Sequence, residues 1–200
     1  MTLPSSLVEM YEQILQSLSS RNPRTAHHIK QVFEIILCAS RPLTVDEVAE
    51  VFAVQFNEDN SVQVLEKHCL KDPETELVQI CTSTFIWIER DPLGKTVHFA
   101  HASVLDYLQC KHDTLIHIDQ AEVAITLTYL CLCTIHSMVQ SSDTHSMVQS
   151  SELDGPFDAY AHEYWLEDTK KALCLNSVDK IKPMLNSVLL NNRENIPVYP

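Results

Sequence analysis

Gly94, Lys95 and Thr96 have the most suggestive chemistry in the chain, because Gly-Lys-Thr is the sequence that closes a phosphate-binding P-loop. A P-loop also needs a glycine five residues before its last one, and that position is Glu89. The motif requires a strand before the loop and a helix after it, whereas a strand-like run follows here. The segment DPLGK at 91–95 is therefore predicted to be a hairpin turn, and no nucleotide-hydrolysing site is expected.

The ten histidines and seven cysteines do not have the spacing of a metal site. No C-x-x-C pair occurs, and Cys131 and Cys133 lie on a predicted helix, which directs their sulfur atoms to different faces. His68 and Cys69 have no second pair at a ligand spacing. The G-x-S-x-G motif, which exposes a nucleophilic serine, is also absent. We therefore predict no metal site, no cofactor, no catalytic residue and no enzymatic activity.

The charge of the chain disfavours nucleic acid as a partner. The sequence has 14 lysines and arginines against 27 aspartates and glutamates, which gives a formal net charge of −13. Affinity for a phosphate backbone comes largely from Lys and Arg, which release counterions on binding. Only two glycines occur, so loops that cradle phosphates with their backbone are also disfavoured.

The cysteines and the apolar residues indicate a cytoplasmic protein that does not bind a membrane. The cysteines are irregularly spaced and no signal peptide is recognisable, so they are expected to be reduced thiols. No apolar run reaches the ~20 residues that a membrane-spanning helix needs.

His101 is the residue whose position most suggests a binding role. The segment Thr96 to His101 alternates apolar and polar side chains, which predicts a half-buried strand. Ser103 and Asp106 then form a capping-box-like start of a helix. His101 thus lies at a strand-to-helix junction, where it is either hydrogen-bonded within the fold or directed at a ligand or another domain.

The elements around this junction follow from apolar spacing and helix-start signals. Helices are predicted over 3–18 and 26–37, a short one begins at a Thr44/Glu47 capping box, and another begins at Asp72 and Pro73. Residues 61–67 are predicted to make a further turn or helix. A strand-like run from Phe85 then pairs with Thr96 to His101 across the turn. Helices followed by a two-stranded hairpin is the order of a winged helix.

The remainder of the chain is predicted to be helical. Asp119 begins one helix, and two others are expected over 157–166 and 178–190. A tandem duplication lies between the first two: HSMVQSSDT at 136–144 is followed by HSMVQSSEL at 145–153. This polar repeat predicts a mobile loop at about 136–155.

Four segments resemble the winged-helix module that follows the NACHT-type NTPase domain in fungal signal-transducing proteins, also described as the GPI inositol-deacylase winged-helix domain. They are LPSSLVEMYEQIL at 3–15, RPLTVDEV at 41–48, VHFAHASVLDYL at 97–108 and YAHEYW at 160–165. The resemblance implies a mainly α fold: a winged helix, meaning a helical bundle plus a two-stranded β-hairpin, at 1–112, followed by additional helices at 113–200.

The same resemblance implies a non-enzymatic regulatory and protein-interaction module of a NACHT-type signal-transducing NTPase. This chain is expected to lack the NTPase and the repeat domains, so its partner would be a protein, such as a NACHT-type NTPase domain or a repeat domain. The deacylase activity in the family label belongs to a different domain of other proteins.

For His101 the resemblance implies contact with ADP when an NTPase domain is present. In related signal-transducing NTPases, a histidine at the end of the corresponding strand, within a Met-His-Asp motif, touches the bound ADP phosphate and holds the inactive state. Ala100 and Ala102 replace the flanking Met and Asp in this sequence.

A DNA-binding winged-helix transcription regulator is the alternative. The segment PETELVQICTS at 73–83 would occupy the position of its recognition helix. That segment has two glutamates and no Lys or Arg, which are the residues that contact phosphates and guanine edges. Asp72, Glu74 and Glu76 are instead expected to form a solvated face or a patch for a protein partner.

Overall fold

The computed structural model describes residues 5–21, 25–56, 62–64, 69–92, 94–109, 116, 118–143, 155–175, 182 and 185. Three helices come first: α1 (Ser5–Arg21), α2 (Thr25–Cys38) and α3 (Val45–Ala53). Their apolar residues recur at helical spacing and bury one face of each helix, as Leu15, Phe33 and Val48 show. The three helices that the sequence predicts in this region are therefore confirmed.

Two predicted helix starts are also confirmed. At α3, the Thr44 hydroxyl accepts from the Glu47 N–H at 3.2 Å, and the Glu47 carboxylate accepts from the Thr44 N–H at 2.7 Å. At α4 (Pro73–Phe85), Asp72 is the N-cap and Pro73 occupies the first turn, where the missing N–H costs no hydrogen bond. Short local patterns specify both starts because every group involved lies within one helical turn.

A hairpin of two antiparallel strands follows α4 and consists of β3 (Ile86–Asp91) and β4 (Gly94–Phe99), so the predicted turn is confirmed. A shorter pair of strands, β1 (Val54–Phe56) and β2 (Val62–Val64), precedes α4 in the chain. Ile86 and Val97 are buried, whereas Trp87 on the opposite face is 60% exposed. Gly94 has φ of +127°, a conformation that a side chain would strain. Thr44 bridges Thr96, which ties the start of α3 to the hairpin.

The prediction of a turn or helix over 61–67 is wrong for its described residues. Val62–Val64 form strand β2, which pairs antiparallel with β1 (Val54–Phe56), and residues 61 and 65–67 lie outside the described part of the chain. Two β-branched valines alternate with a glutamine in β2, and that period of two favours a strand once a partner strand is beside it.

The last described helices are α5 (Ala102–Gln109), α6 (Gln120–Asp143) and α7 (Phe157–Cys174). Asp119 begins α6 as predicted, because its carboxylate accepts from the Ala121 N–H at 2.9 Å. α7 continues beyond the predicted end at 166, and most of the helix predicted over 178–190 lies outside the described residues. None of the helices in the described ranges is both long and apolar enough to cross a lipid bilayer.

The predicted loop at about 136–155 is wrong for its first part. Residues 136–143, which belong to the first copy of the duplication, continue α6, and residues 144–154 lie outside the described part of the chain. The first copy contains neither glycine nor proline, so nothing in it breaks a helix that has already been started. Polar composition alone was therefore a poor guide to a loop.

One hydrophobic core joins the two predicted regions. Tyr11, Phe33 and Phe85 from the first region and Leu127 and Tyr160 from the second belong to the same buried cluster. The boundary near residue 112 therefore does not separate two cores. The predicted fold class is confirmed: the protein is mainly α, a helical bundle with a two-stranded hairpin and additional helices.

Candidate functional site

His101 lies between the hairpin and α5, as predicted, and it is exposed. Its carbonyl accepts from the Val104 N–H at 3.0 Å, and its ring Nδ1 accepts from the Ser103 N–H at 3.1 Å. His101 therefore caps α5, because it satisfies two N–H groups of the first turn that have no partner within the helix. The prediction that Ser103 and Asp106 form the helix start is wrong, since Ser103 lies inside the first turn and is buried.

The hydroxyl of Ser103 is unavailable for capping because Tyr11 of α1 engages it. The two oxygen atoms are 2.8 Å apart, and the same Ser103 Oγ is 2.7 Å from Nδ1 of His101. Tyr11 is 3% exposed and Ser103 is 8% exposed, so the contact is shielded from water. Ser103 and Tyr11 are 92 residues apart, a separation that a capping pattern cannot take into account.

A second contact holds α1 against α5 one turn further on. The hydroxyl of Tyr107, which is fully buried, donates to the Glu12 carboxylate. Burial, together with this carboxylate, raises the pKa of Tyr107 well above its usual range. The rings of Tyr11 and Tyr107 are 5.3 Å apart. The junction that carries His101 is thus supported by two neighbouring tyrosine contacts to α1.

His98, three residues earlier, has different surroundings. Its Nε2 is 3.0 Å from the Thr96 hydroxyl and 3.9 Å from the Glu89 carboxylate. Trp87 pairs with it across the hairpin. His98 is therefore engaged within the hairpin, whereas no described residue forms a hydrogen bond with Nε2 of His101.

The Gly-Lys-Thr segment is part of strand β4. Lys95 pairs with Glu74 of α4, and Thr96 is fully buried beneath the bridge from Thr44. A P-loop lysine must be directed at phosphates, whereas this one is paired with a carboxylate. The segment links α4 to the hairpin.

The acidic residues at the start of α4 have local structural roles. Glu74 pairs with Lys95, and Glu76 accepts from the N–H groups of Lys71 and Asp72 at 2.8 and 3.0 Å. Carboxylates also suit the positive end of a helix. The predicted solvated face is in part a set of capping and pairing groups.

Burial disfavours the reactive form of three of the described cysteines. Cys38, Cys81 and Cys131 are buried, and burial raises the pKa of Cys38 to about 12 and that of Cys81 still higher. A thiolate, which is the reactive form, is therefore disfavoured at these positions. Among the described residues, no group of three or more potential ligands could hold a metal ion.

A second polar cluster, which sequence reasoning did not identify, joins α3 to α7. The Arg41 guanidinium donates to both oxygens of Glu47 at 2.8 and 2.7 Å. Their side chains are 15% and 4% exposed. The same guanidinium lies 5.0 Å from the ring centre of Tyr160 and 5.5 Å from that of Tyr164. Arg41 therefore binds the start of α3 to the face of α7.

Asp168 is a second buried carboxylate of this cluster, beside Glu47. It is 1% exposed and accepts from the Ser40 hydroxyl at 2.6 Å and the Tyr160 hydroxyl at 2.8 Å. The Tyr160 oxygen in turn accepts from the Ser40 N–H at 2.8 Å. The only sequence signal for the cluster is that RPLT and YAHEYW both belong to the segments of the family resemblance.

Asp168 should make stability depend on pH. Burial raises its pKa above the ordinary 3.8, although the Ser40 and Tyr160 donors oppose the shift. A carboxyl with a raised pKa binds its proton more tightly in the folded state. Its contribution to the free energy of unfolding is therefore fully present at low pH and is lost as pH rises. We expect the free energy of unfolding of wild type to fall relative to that of Asp168→Asn as pH rises above 3.8. Urea melts of both proteins over pH measure this, and parallel pH profiles would contradict it.

The four segments of the resemblance are linked to one another, and the Val97 N–H of segment 97–108 donates to the Leu43 carbonyl of segment 41–48 at 2.9 Å. Segment 3–15 contacts segment 97–108 through Tyr11 and Ser103, and segment 41–48 contacts segment 160–165 through Arg41 and Tyr160. Comparisons of the chain with family models, with curated proteins and with solved structures give no match.

Proposed function

We propose that this protein is a non-enzymatic regulatory and protein-interaction module of a NACHT-type signal-transducing NTPase, and that it acts in the cytoplasm. Its partner would be a protein, either the NTPase domain or a repeat domain. The observation that carries the proposal is the exposed His101, held at the hairpin-to-helix junction by Ser103 and Tyr11.

Three features support a binding role for His101 over a purely internal one. The residue is exposed, although its backbone and Nδ1 are engaged in the cap of α5. Its Nε2 has no hydrogen-bond partner among the described residues. The support from α1 keeps the ring in place before any ligand arrives, which lowers the entropy lost on binding. A histidine with these properties can contact a phosphate or carboxylate of a neighbouring domain.

Replacing His101 by Ala is expected to loosen ADP in a complex of this chain with a NACHT-type NTPase domain, supplied in trans or by fusion. A hydrogen bond to a charged phosphate would be lost, at a cost of about 1–3 kcal/mol, or roughly 5- to 150-fold in affinity. Release of a fluorescent ADP analogue measures the effect. His98→Ala is the matched control, because His98 lies three residues earlier, on β4, and is engaged by Thr96.

Equal ADP release from wild type and His101→Ala would contradict the sensor role. A second check is the stability of the isolated chain. A loss of several kcal/mol in His101→Ala would instead indicate that the residue is mainly structural.

The alternative of a DNA-binding transcription regulator has weaker support. Lys95, a basic residue of the hairpin, is paired with Glu74 of the helix in the recognition position, so a phosphate would have to compete with this carboxylate. We expect no specific complex with duplex DNA in a gel-shift series over salt. A complex whose affinity falls steeply with rising salt would favour the alternative, because that dependence reports counterion release by Lys and Arg.

A further inference from the structure

The hydrogen bonds of His101 determine which ring nitrogen carries the proton. A neutral imidazole has one N–H group and one acceptor nitrogen. Nδ1 lies 3.1 Å from the Ser103 backbone nitrogen, whose N–H can only donate. Nδ1 must therefore be the acceptor, and the proton of the neutral ring lies on Nε2, the nitrogen without a described protein partner.

The Ser103 hydroxyl and Tyr11 extend this arrangement in one direction. Ser103 Oγ is 2.7 Å from Nδ1, and because Nδ1 has no proton, the hydroxyl must donate to it. Its lone pairs are then available to Tyr11, whose oxygen is 2.8 Å away and donates in turn. With the opposite direction, lone pairs of Oγ and Nδ1 would face each other at short distance. The chain of donors therefore runs from Tyr11 through Ser103 to His101.

We propose that Ser103 and Tyr11 are positioning residues that hold the exposed His101 ring as an Nε2–H donor. The donor would serve a hydrogen-bond acceptor of the partner. In the proposed function that acceptor is a phosphate oxygen of bound ADP, and to that extent the inference rests on the proposed function. The arrangement also makes α1 part of the binding site, although none of its described residues contacts His101 directly in this network.

Long-range ¹H–¹⁵N NMR of the isolated chain tests the assignment without any nucleotide or partner. Spectra are taken at alkaline pH, because the tautomers are those of a neutral imidazole. We expect one Nδ1 signal typical of an unprotonated nitrogen and one Nε2 signal typical of a protonated nitrogen. The same ring in the urea-unfolded chain gives the averaged reference, since a free imidazole exchanges between both tautomers.

Substitutions separate the contributions of the two residues. Ser103→Ala removes the hydroxyl donor but keeps the backbone N–H that donates to Nδ1, so both nitrogen signals should shift part of the way towards the averaged reference. Ser103→Thr keeps the hydroxyl and should restore the wild-type values. Tyr11→Phe should give a smaller shift in the same direction. The His98 ring, held by Thr96, should be unchanged in all three variants.

An averaged His101 ring in wild type would overturn the inference, as would unchanged signals in Ser103→Ala. The wild-type spectrum does not depend on any variant. If a substitution disrupts the structure, the wild-type spectrum alone still tests the inference. A single tautomer combined with no effect of His101→Ala on ADP release would contradict the proposed function but leave this inference standing. An averaged ring combined with faster ADP release in His101→Ala would contradict this inference but leave the proposed function standing.

Discussion

Replacing Arg41 by Ala is expected to lower the free energy of unfolding by about 3–5 kcal/mol, because it leaves a buried carboxylate without its partner. Arg41 donates to both oxygens of Glu47 at 2.8 and 2.7 Å, and the Glu47 side chain is only 4% exposed. The substitution also removes the guanidinium from its position over Tyr160 and Tyr164. The cost therefore includes lost packing between α3 and α7 as well as an uncompensated charge.

Urea denaturation of Arg41→Ala and wild type measures this difference. Lys30→Ala is the matched control, because Lys30 pairs with Glu34 at 3.6 Å while their side chains are 43% and 27% exposed. An exposed pair of this kind contributes about 0–1 kcal/mol. Arg41→Lys should lie between the two, since it keeps the charge but not the paired N–H groups. A change below about 1 kcal/mol for Arg41→Ala would show that water or a rearranged donor solvates Glu47.

Replacing Tyr160 by Ala is expected to cost about 3–5 kcal/mol, the range for deleting a fully buried aromatic side chain. The ring is enclosed and stacks on Phe157 and Tyr164, with ring centres 5.1 Å away in each case. Its removal leaves a cavity where α7 packs against the corner between α2 and α3. It also removes the hydroxyl that donates to the Asp168 carboxylate and accepts from the Ser40 N–H.

Tyr160→Phe separates these two causes, because it keeps the ring and removes the hydroxyl. We expect a loss of about 1–3 kcal/mol for it, which reflects buried groups left without a hydrogen bond. Thermal and urea melts of both variants measure the split. If Tyr160→Ala and Tyr160→Phe had equal stability, the stacking of the ring would contribute nothing and the packing argument would be wrong. Tyr164→Ala, at a half-buried position, should cost less than Tyr160→Ala.

Sequence patterns predicted correctly those elements whose signals come from residues close together in the chain. The capping box of Thr44 and Glu47, the start of α4 at Asp72 and the hairpin turn at Gly94 are each specified by neighbours in the chain. The same local logic failed where two local signals compete. At α5, both His101 and Ser103 can act as the cap. Only the contact of Ser103 with Tyr11 decides between them.

At the candidate site, too, the sequence predicted the position of the residue but not its contacts. The sequence placed His101 at a strand-to-helix junction, and that position is confirmed, while its contact with ADP remains a prediction. Its hydrogen bonds to Ser103 and the link to α1 could not be predicted. Hydrogen-bond partners of a side chain depend on rotamers and on elements that approach from elsewhere in the chain.

The sequence by itself determined the first four helices, the hairpin and the acidic character of the protein, because apolar period, capping residues and charge are local properties of the chain. Only the tertiary structure decided which segments meet. Tyr11 reaches Ser103 across 92 residues, and Ser40 reaches Tyr160 across 120. No local pattern specifies such pairs, because they form only when the apolar faces of the described helices are buried against one another and the remaining polar groups must find partners there.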